Sequence, residues 1–273
     1  MAFEPAGSVC VVTGGGSGIG SALCRELAAR GAAHVVVADL SLERARAVEA
    51  TLPAAVGHAQ QCDVAKEMDI RQLVVTTESM YGPITLFCSN AGIPSNGGPE
   101  VSNDEWERNW RTNVLQGVFV ARHLFPLYES RGVGALLVTS SAAGLLSQVG
   151  ALPYTVTKHA AVALAEWLAI TYKCKGISVS CLCPQAVSTG MLPAGTDGGP
   201  AGVDGVLTPE QVASETVDAM VKGVFLILPH KKVATHFLRR ATDHERWLNG
   251  MAKLHTAFGE LVRRSPNISA AKL

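Results

Sequence analysis

The feature that most constrains the fold is an alternation between short apolar runs of strand length and amphipathic segments of helix length. The short runs are rich in β-branched residues and apolar on consecutive positions, which is typical of strands covered on both faces. They predict seven strands, at residues 9–12, 35–38, 56–62, 84–89, 135–139, 177–183 and 225–228. Helical patterns lie between them, at residues 18–30, 42–52, 66–80, 103–130, 153–174 and 208–223.

This order of elements predicts an α/β fold: a Rossmann-like, doubly wound parallel sheet of about seven strands with helices on both faces. Neither an internal repeat nor a linker interrupts the pattern before about residue 190, so a single domain is expected. Residues 188–207 are rich in glycine and predict either a surface loop or a lid over a site. Residues 229–273 predict a helical extension, packed on the same domain or at a subunit interface. Its apolar positions, at helical spacing, are Trp247, Leu248, Met251, Leu254, Phe258 and Leu261.

Charge and composition exclude several classes of protein. The 23 basic and 23 acidic residues cancel, so the chain lacks the basic surface of a nucleic-acid-binding protein. An apolar content of 48% excludes a disordered chain, and charged residues interrupt every long apolar stretch, so no membrane span is expected. The N-terminus does not have the pattern of a secretory signal. Seven scattered cysteines predict reduced thiols in a cytoplasmic protein, and their spacing predicts no metal site.

A glycine-rich turn, residues 13–20, directly follows the first predicted strand and opens the first helix. Glycines permit a tight turn with positive φ, and they let a pyrophosphate approach backbone N–H groups at the start of the helix. A glycine-rich turn alone is weak evidence, but its position between strand and helix predicts a dinucleotide site. The residues expected to bind the dinucleotide here are Gly14, Gly16, Ser17, Gly18, Ile19 and Gly20.

Asp39 ends the second predicted strand, where a carboxylate can accept hydrogen bonds from the adenosine ribose. It would repel a 2′-phosphate about 4 Å away by about 4 kcal/mol per unit charge at an effective dielectric of about 20. The glycine turn contains no Lys or Arg, and Leu40 follows the aspartate, so NAD is predicted rather than NADP. The alternative is that Asp39 only caps the next helix, although Ser41 could do so equally well.

Polar residues also follow the third and fourth predicted strands. Asp63 and Val64 end the third strand, and Asn90, Ala91 and Gly92 end the fourth. Ligands of such sheets bind beyond the carboxyl ends of the strands, so these residues are candidates for the adenine and ribose sites. Each could instead serve only as an ordinary turn residue.

Tyr154 and Lys158 stand four residues apart on one face of a predicted helix. A phenol has a reference pKa near 10, and an ammonium about 4 Å away would lower it by about three units, into a useful range for proton transfer. The pair alone could be a helix-surface contact. Ser141, which closes the fifth strand, and Asn113, a polar residue in an apolar helical stretch, complete the candidate catalytic set. Asn113 could alternatively be a hydrogen-bonded core amide.

These motifs together resemble the short-chain dehydrogenase/reductase family, in its simple one-domain type, over about residues 6–228. The resemblance implies that residues 1–228 form an NAD-binding catalytic domain with a substrate loop at 188–207. It also implies that Tyr154 exchanges a proton with the substrate and that Ser141 stabilises the substrate oxygen. Lys158 would bind the nicotinamide ribose and lower the Tyr154 pKa, while Asn113 would hold a water linked to Lys158. Further cofactor contacts are implied for Tyr154 itself and for Pro184, Val187 and Thr189.

The resemblance implies an NAD-dependent oxidoreductase that interconverts a secondary alcohol and a ketone, in a homodimer or homotetramer formed through the fourth and fifth long helices. Apolar residues near the site favour a hydrophobic substrate, namely Leu145, Leu146, Val149, Leu152, Met191 and Leu192. A catalytically silent dinucleotide-binding or scaffold protein is the alternative.

The family usually has glycine after Pro184, where this chain has Gln185. The final tripeptide 271–273, Ala-Lys-Leu, offers a peroxisomal address as the alternative to the cytoplasm.

Overall fold

A computed structural model describes the backbone of residues 3–192 and 198–264, with side chains up to residue 258. Its centre is a seven-stranded sheet in the order β3-β2-β1-β4-β5-β6-β7, and every neighbouring pair is parallel. The strands are β1 Val9–Thr13, β2 His34–Asp39, β3 Gly57–Gln61, β4 Leu86–Ser89, β5 Gly134–Thr139, β6 Ile177–Leu182 and β7 Leu226–Ile227. The predicted fold class is confirmed. The strand order reverses between β1 and β4, which opens a crevice at the carboxyl ends of the strands.

Helices cover both faces of the sheet. They are α1 Gly18–Ala29, α2 Leu42–Glu49, α3 Glu67–Tyr81, α4 Asn103–Trp110, α5 Gln116–Arg131, α6 Leu152–Tyr172, α7 Pro209–Val221, α8 Lys232–Thr242 and α9 His244–Arg264. Among the described residues, no helix combines the length and the apolar character that a membrane crossing requires.

The two hydrophobic cores result from the alternation of side chains along each strand. Val11 and Phe87 belong to the core on one face of the sheet, whereas Val12 and Cys88, the next residues in each strand, belong to the core on the other. Helices α3, α5 and α6 pack on the first face, and α1, α2 and α7 pack on the second. The consecutive apolar positions of the strands are therefore explained by burial on both sides.

The segment predicted as one helix at 103–130 is divided by a π-helical turn, Arg111–Leu115, between α4 and α5. Asn113 lies in this turn and its side chain is buried. Propensity alone does not predict a π turn, because such a turn depends on contacts from elsewhere in the fold. The tail also differs from expectation, since two helices, α8 and α9, stand where one was predicted. The residues 193–197 of the predicted loop and the tripeptide 271–273 lie outside the described residues.

The sheet requires a glycine at the start of β5. A Cβ at Gly134 would overlap the buried ring of Tyr128 in α5. We expect Gly134→Ala to lower the free energy of unfolding by about 2 kcal/mol or more, because the ring cannot move within a closely packed core. Gly250→Ala is the control, since a Cβ there meets no described atom within 4 Å. Urea unfolding should show the first variant destabilised and the second unchanged or slightly stabilised; equal midpoints would contradict this packing.

Candidate active site

A large cleft of about 1830 Å³ lies at the carboxyl ends of the strands. Seventeen of the twenty sequence-predicted site residues line it: Gly14, Ser17, Gly18, Ile19, Asp39, Leu40, Asp63, Val64, Asn90, Ala91, Gly92, Ser141, Tyr154, Lys158, Pro184, Val187 and Thr189. The three others, Gly16, Gly20 and Asn113, do not line it. The structure thus brings the two predicted halves of the site, for cofactor and for proton transfer, into one cavity.

The glycine turn is shaped by close contacts that exclude side chains. Gly14 has φ of +63°, and a Cβ on it would stand 2.9 Å from the Ala91 Cα. A Cβ on Gly20 would overlap the Gly14 carbonyl oxygen, so Gly20 lets α1 begin directly under the turn. Ser17 occupies the N-cap of α1, and its hydroxyl makes no capping hydrogen bond with the described residues. The N–H groups of the first helical turn therefore face the cleft, in a position suited to an anion.

Asp39 is buried and holds the turn in place. Its carboxylate accepts hydrogen bonds from the N–H groups of Gly16 and Ser41, both at 3.0 Å, and it pairs with Arg44 at 2.9 Å. A Cβ on Gly16 would lie 2.8 Å from the carboxylate, which is why glycine is needed at this position. The helix-cap alternative for Asp39 is wrong, because the hydroxyl of Ser41 caps α2.

Arg44 is a site residue that sequence reasoning missed. It lies in the first turn of α2, lines the cleft, and places its guanidinium against Asp39. The prediction of NAD looked for a basic residue only in the glycine turn and directly after Asp39. The signal that could have found Arg44 is its place in the first turn of the helix that follows the acidic strand end.

Asn90 joins strands β1 and β4. Its side-chain amide donates to the Thr13 carbonyl at 2.9 Å, and its own N–H donates to the Thr13 hydroxyl at 3.0 Å. Asp63 likewise organises its loop, since its carboxylate accepts from the N–H of Ala65 at 3.1 Å. Both residues therefore act as turn residues while also lining the cleft, so the two interpretations are not exclusive here.

Three groups for proton transfer meet where β5 ends and α6 begins. Lys158 is buried, and its Nζ donates to the Thr139 carbonyl at 3.1 Å, while the Lys158 carbonyl accepts from the Ser140 hydroxyl at 2.8 Å. The Ser141 hydroxyl donates to the Pro184 carbonyl at 3.3 Å, and it lies close enough to the Tyr154 hydroxyl to lower the pKa of that group. These contacts fix α6 against the end of β5, so the serine and tyrosine hydroxyls face the cleft together.

The electrostatics of this group differ from the expectation. Burial raises the pKa of Tyr154 above its ordinary value, and the hydrogen bond from Ser141 opposes this only in part. Burial also lowers the pKa of Lys158 to about 8. The Lys158 Nζ lies over the phenol ring, 5.5 Å from its centre, rather than against the hydroxyl. The side chains by themselves therefore do not lower the Tyr154 pKa as predicted.

The Asn113 side chain is a fully bonded core amide. Its carbonyl accepts from the Ile93 N–H at 2.9 Å, and its amide donates to the Ile93 carbonyl at 3.0 Å and to Thr157 at 3.2 Å. Gly92 separates it from Lys158, because a Cβ on Gly92 would lie 3.3 Å from the Asn113 carbonyl oxygen and 3.2 Å from the Lys158 Nζ. The implied water beside Asn113 stays a prediction.

Helices α8 and α9 form a wall of the cleft that the sequence did not predict. The residues they contribute are His236, Arg239, Thr242, Asp243, Arg246, Trp247, Gly250, Met251 and Leu254. Arg240 anchors α8, donating to the Leu145 carbonyl and bonding the His159 ring at 3.0 Å. The amphipathic pattern of the tail predicted an apolar face, but it contained no information on which surface that face would cover.

Four of the six apolar residues expected near the substrate do line the cleft: Leu146, Val149, Met191 and Leu192. Two do not. Leu145 is buried in the core, and Leu152 is exposed at the start of α6. Within residues 3–192 and 198–264, no group of three or more His, Cys, Asp or Glu side chains could hold a metal ion.

Comparison with known proteins agrees with this fold. The family model described as short chain dehydrogenase matches residues 8–198, and the chain belongs to that family. A 2,5-dichloro-2,5-cyclohexadiene-1,4-diol dehydrogenase of Sphingobium indicum is 38% identical over 70% of this chain and 77% of its own. The L-fucose dehydrogenase of Bos taurus is 35% identical over 69% of each chain. A short chain dehydrogenase/reductase from Burkholderia phymatum, solved in complex with NAD, superposes with a TM-score of 0.81 at 27% identity, covering 89% of this chain and 96% of its own.

Buried Lys158 makes stability depend on pH in a defined direction. Its folded-state pKa of about 8 is below the ordinary 10.5, so the unfolded chain binds this proton more tightly. The resulting cost to folding is about 3 kcal/mol below pH 8 and disappears as the pH rises through 10.5.

The variant Lys158→Met carries no ammonium and does not have this cost. We therefore expect its free energy of unfolding, relative to that of the parent, to be most favourable at pH 7. Between pH 7 and pH 10 the difference in the free energy of unfolding should shift by about 2 kcal/mol in favour of the parent. Urea unfolding at both pH values measures this shift. The exposed Lys222→Met is the control and should show no such shift. A constant difference for Lys158→Met would contradict the burial of a charged amine.

Proposed function

We propose that this chain is an NAD-dependent oxidoreductase that interconverts a secondary alcohol and a ketone, acting on a hydrophobic substrate. The observation that carries the proposal is the convergence of Tyr154, Ser141 and Lys158 on the cleft whose other end is the glycine turn. A proton-transfer group and a dinucleotide cradle in one cavity are what hydride-transfer chemistry requires.

The residues at the cofactor end fit a dinucleotide. Gly14 and Gly18 leave backbone N–H groups open to a pyrophosphate at the start of α1. One oxygen of Asp39 accepts only from Gly16 among the described residues, so it keeps a lone pair for a ribose hydroxyl. Val187 and Thr189 also line the cleft, beyond β6, and Thr189 lies close to the turn, since a Cβ on Gly18 would be 3.0 Å from its side chain. When bound, the nicotinamide supplies the acceptor or donor of the hydride.

In alcohol oxidation, Tyr154 takes the proton from the substrate hydroxyl while Ser141 donates a hydrogen bond to the same oxygen. The proton transfer requires the phenol pKa to fall, because burial alone raises it. Lys158 is the one buried cation beside the phenol in the described residues. An ammonium that comes within about 4 Å of the hydroxyl stabilises the phenolate by about 4 kcal/mol, which acts against the effect of burial. We infer that Lys158, which would also hold the nicotinamide ribose, would reach this position if its Nζ left the Thr139 carbonyl.

Apolar side chains support a hydrophobic substrate. Leu146, Val149 and Met191 line the cleft, and so do Trp247 and Met251 of α9. Helices α8 and α9 therefore act as part of the substrate wall, in addition to packing on the domain.

The tyrosine distinguishes an enzyme from a catalytically silent dinucleotide-binding protein. We expect Tyr154→Phe to lower kcat by at least about a thousandfold while the affinity for NADH changes little, because the lost hydroxyl transfers the proton and is only one of many contacts expected to the dinucleotide. Rates are measured by NADH absorbance and affinity by NADH fluorescence.

Tyr172→Phe, a tyrosine of α6 remote from the cleft, is the matched control and should retain full activity. A native protein that binds NADH but oxidises no alcohol of a broad panel would support the silent alternative instead.

Cofactor choice depends on Asp39 and on its pairing with Arg44. The native enzyme should prefer NAD, because the carboxylate repels a 2′-phosphate. Asp39→Asn removes that charge and frees the Arg44 guanidinium, so the ratio of kcat/KM for NAD over NADP should fall by about one to two orders of magnitude. The double variant with Arg44→Met should recover little NADP activity. An unchanged ratio in Asp39→Asn would remove the basis for NAD selectivity.

A homo-oligomer formed through α5 and α6 is also proposed. Trp167 and Ile170 project from α6 with 60% and 80% of their surfaces exposed, which is unusual for large apolar side chains of a monomer. A dimer or tetramer would cover them. The cytoplasmic location and its peroxisomal alternative stay predictions.

A further inference from the structure

Two arginines of the helical tail line the cleft without an acidic partner. Arg239 lies in the last turn of α8 and Arg246 in the first turn of α9, and both side chains are exposed. Within the described part of the chain, neither guanidinium makes an ion pair or a hydrogen bond. The other arginines that line the cleft, Arg44 and Arg108, are each paired with a carboxylate. Two unpaired cations in a ligand cleft indicate an anionic group on the ligand.

Asp243 forms the corner between α8 and α9 and brings the two arginines together. Its N–H donates to the Arg239 carbonyl at 3.1 Å, and its carboxylate accepts from the Arg246 N–H at 3.0 Å. Asp243 also lines the cleft, whereas His236 is engaged with Asp204 at 3.0 Å. The charged groups that this corner presents to the cleft are thus two guanidinium groups and one carboxylate, which leaves one net positive charge.

The corner lies against the loop that carries the proton-transfer group. Arg240 donates to the Leu145 carbonyl and bonds the His159 ring at 3.0 Å. Leu145 follows Ser141 by four residues, and His159 is the neighbour of Lys158 in α6. The end of α8 is therefore held beside the junction of β5 and α6. A substrate whose reacting oxygen meets Ser141 can extend along the cleft to the corner.

Apolar side chains accompany the arginines on α9. Trp247, Met251 and Leu254 follow Arg246 at helical spacing and line the same cleft. The Arg240 guanidinium lies over the Trp247 ring, 5.0 Å from its centre, and holds that ring in place. The volume of about 1830 Å³ is larger than the roughly 300–1,000 Å³ of an ordinary small-molecule site, so a dinucleotide leaves room for a substrate of some length. The cleft is thus suited to an apolar skeleton with one anionic end.

We propose that Arg239 and Arg246 bind a carboxylate of the substrate, so that the enzyme acts on apolar hydroxy acids and keto acids. This inference rests on the proposed function and narrows its substrate class. A carboxylate matches the net charge of the corner, and its two oxygens can accept paired hydrogen bonds from a guanidinium. A phosphate monoester would bring a second negative charge that the corner does not balance. The unpaired arginines also attract an anionic substrate into the cleft.

The test measures kcat/KM, with NAD in excess, for 7-hydroxyoctanoate, 9-hydroxydecanoate and 11-hydroxydodecanoate, each beside its methyl ester. The series varies the distance between the secondary alcohol and the carboxylate, and the ester removes the charge. In the native protein the best acid should exceed its ester by at least about tenfold, because hydrogen bonds between charged groups are the strong ones. In the double variant Arg239→Met/Arg246→Met the preference should fall to about threefold or less, mainly through a higher KM for the acid.

Arg71→Met is the matched control, since Arg71 is an exposed arginine of α3 outside the cleft, and it should keep the full preference. Salt provides a second readout. Raising the ionic strength from about 0.02 M to about 0.5 M should reduce the acid preference of the native protein, because it screens exposed charges. The double variant should show little of this salt dependence, which a merely structural role of the arginines would not alter.

Several outcomes would overturn the inference. Equal native kcat/KM for every acid and its ester, or equal losses on both in the double variant, would show that the arginines bind no carboxylate, while the proposed function would stand. Turnover of simple secondary alcohols but of none of the acids would have the same meaning. A rise of about tenfold in the Kd for NADH in the double variant would assign the arginines to the cofactor instead.

Failure of the native protein to oxidise any alcohol, acid or ester would overturn the proposed function and this inference together. If the double variant does not fold, as judged by circular dichroism, Arg246→Met alone replaces it. The acid preference should then fall by at least about threefold, and an unchanged preference would contradict the inference.

Discussion

The close approach of α6 to the end of β5 is the contact on which the site depends. A Cβ on Gly144 would overlap the Lys158 carbonyl, so only glycine lets the helix come this near. Once there, the helix is held by the hydrogen bonds of Ser140 and Lys158 across the junction. This contact sets the position of Tyr154 relative to Ser141, and it buries the Lys158 amine. The placement of the two hydroxyl groups and the cost of burying the Lys158 amine thus both result from this one contact.

Burial acts on the two ionisable groups of the site in opposite directions. It favours the neutral phenol of Tyr154 and the neutral amine of Lys158, because both charged forms lose solvation. An ammonium on Lys158 would stabilise the phenolate of Tyr154, and the phenolate would in turn stabilise the ammonium. The burial of Lys158 lowers the free energy of unfolding near neutral pH, and this is the cost of holding the proposed proton-transfer pair at this junction. The dependence of the pair on a bound ribose would also couple proton transfer to the presence of the cofactor.

Features that depend on local pattern were mostly predictable from the sequence. Apolar alternation located all seven strands, and the spacing of the glycine turn, Ser141, Tyr154 and Lys158 located most of the cleft. These predictions succeed because a parallel sheet brings the carboxyl ends of its strands to one edge, whatever the intervening segments contain. The family resemblance added roles to residues that pattern alone left open.

Features that the sequence did not predict depend on contacts between distant segments. The π turn around Asn113 coincides with its bonds to Ile93, and Arg44 gains a role only through its contact with Asp39. The wall made by α8 and α9 depends on Arg240 meeting the loop at Leu145. The side chains alone do not lower the Tyr154 pKa for a similar reason: four-residue spacing places two side chains on one face of a helix, but burial and rotamer decide which atoms meet.

The central claim is that the buried phenol of Tyr154 becomes acidic only when the dinucleotide is in place. The direct measurement is an NMR titration of the Tyr154 ring carbon, in protein with labelled tyrosine and assigned through Tyr154→Phe, with and without NAD. The account predicts a pKa above the ordinary phenol value in the free protein and well below it in the complex. A pKa that stays above the ordinary value with NAD bound would contradict the account.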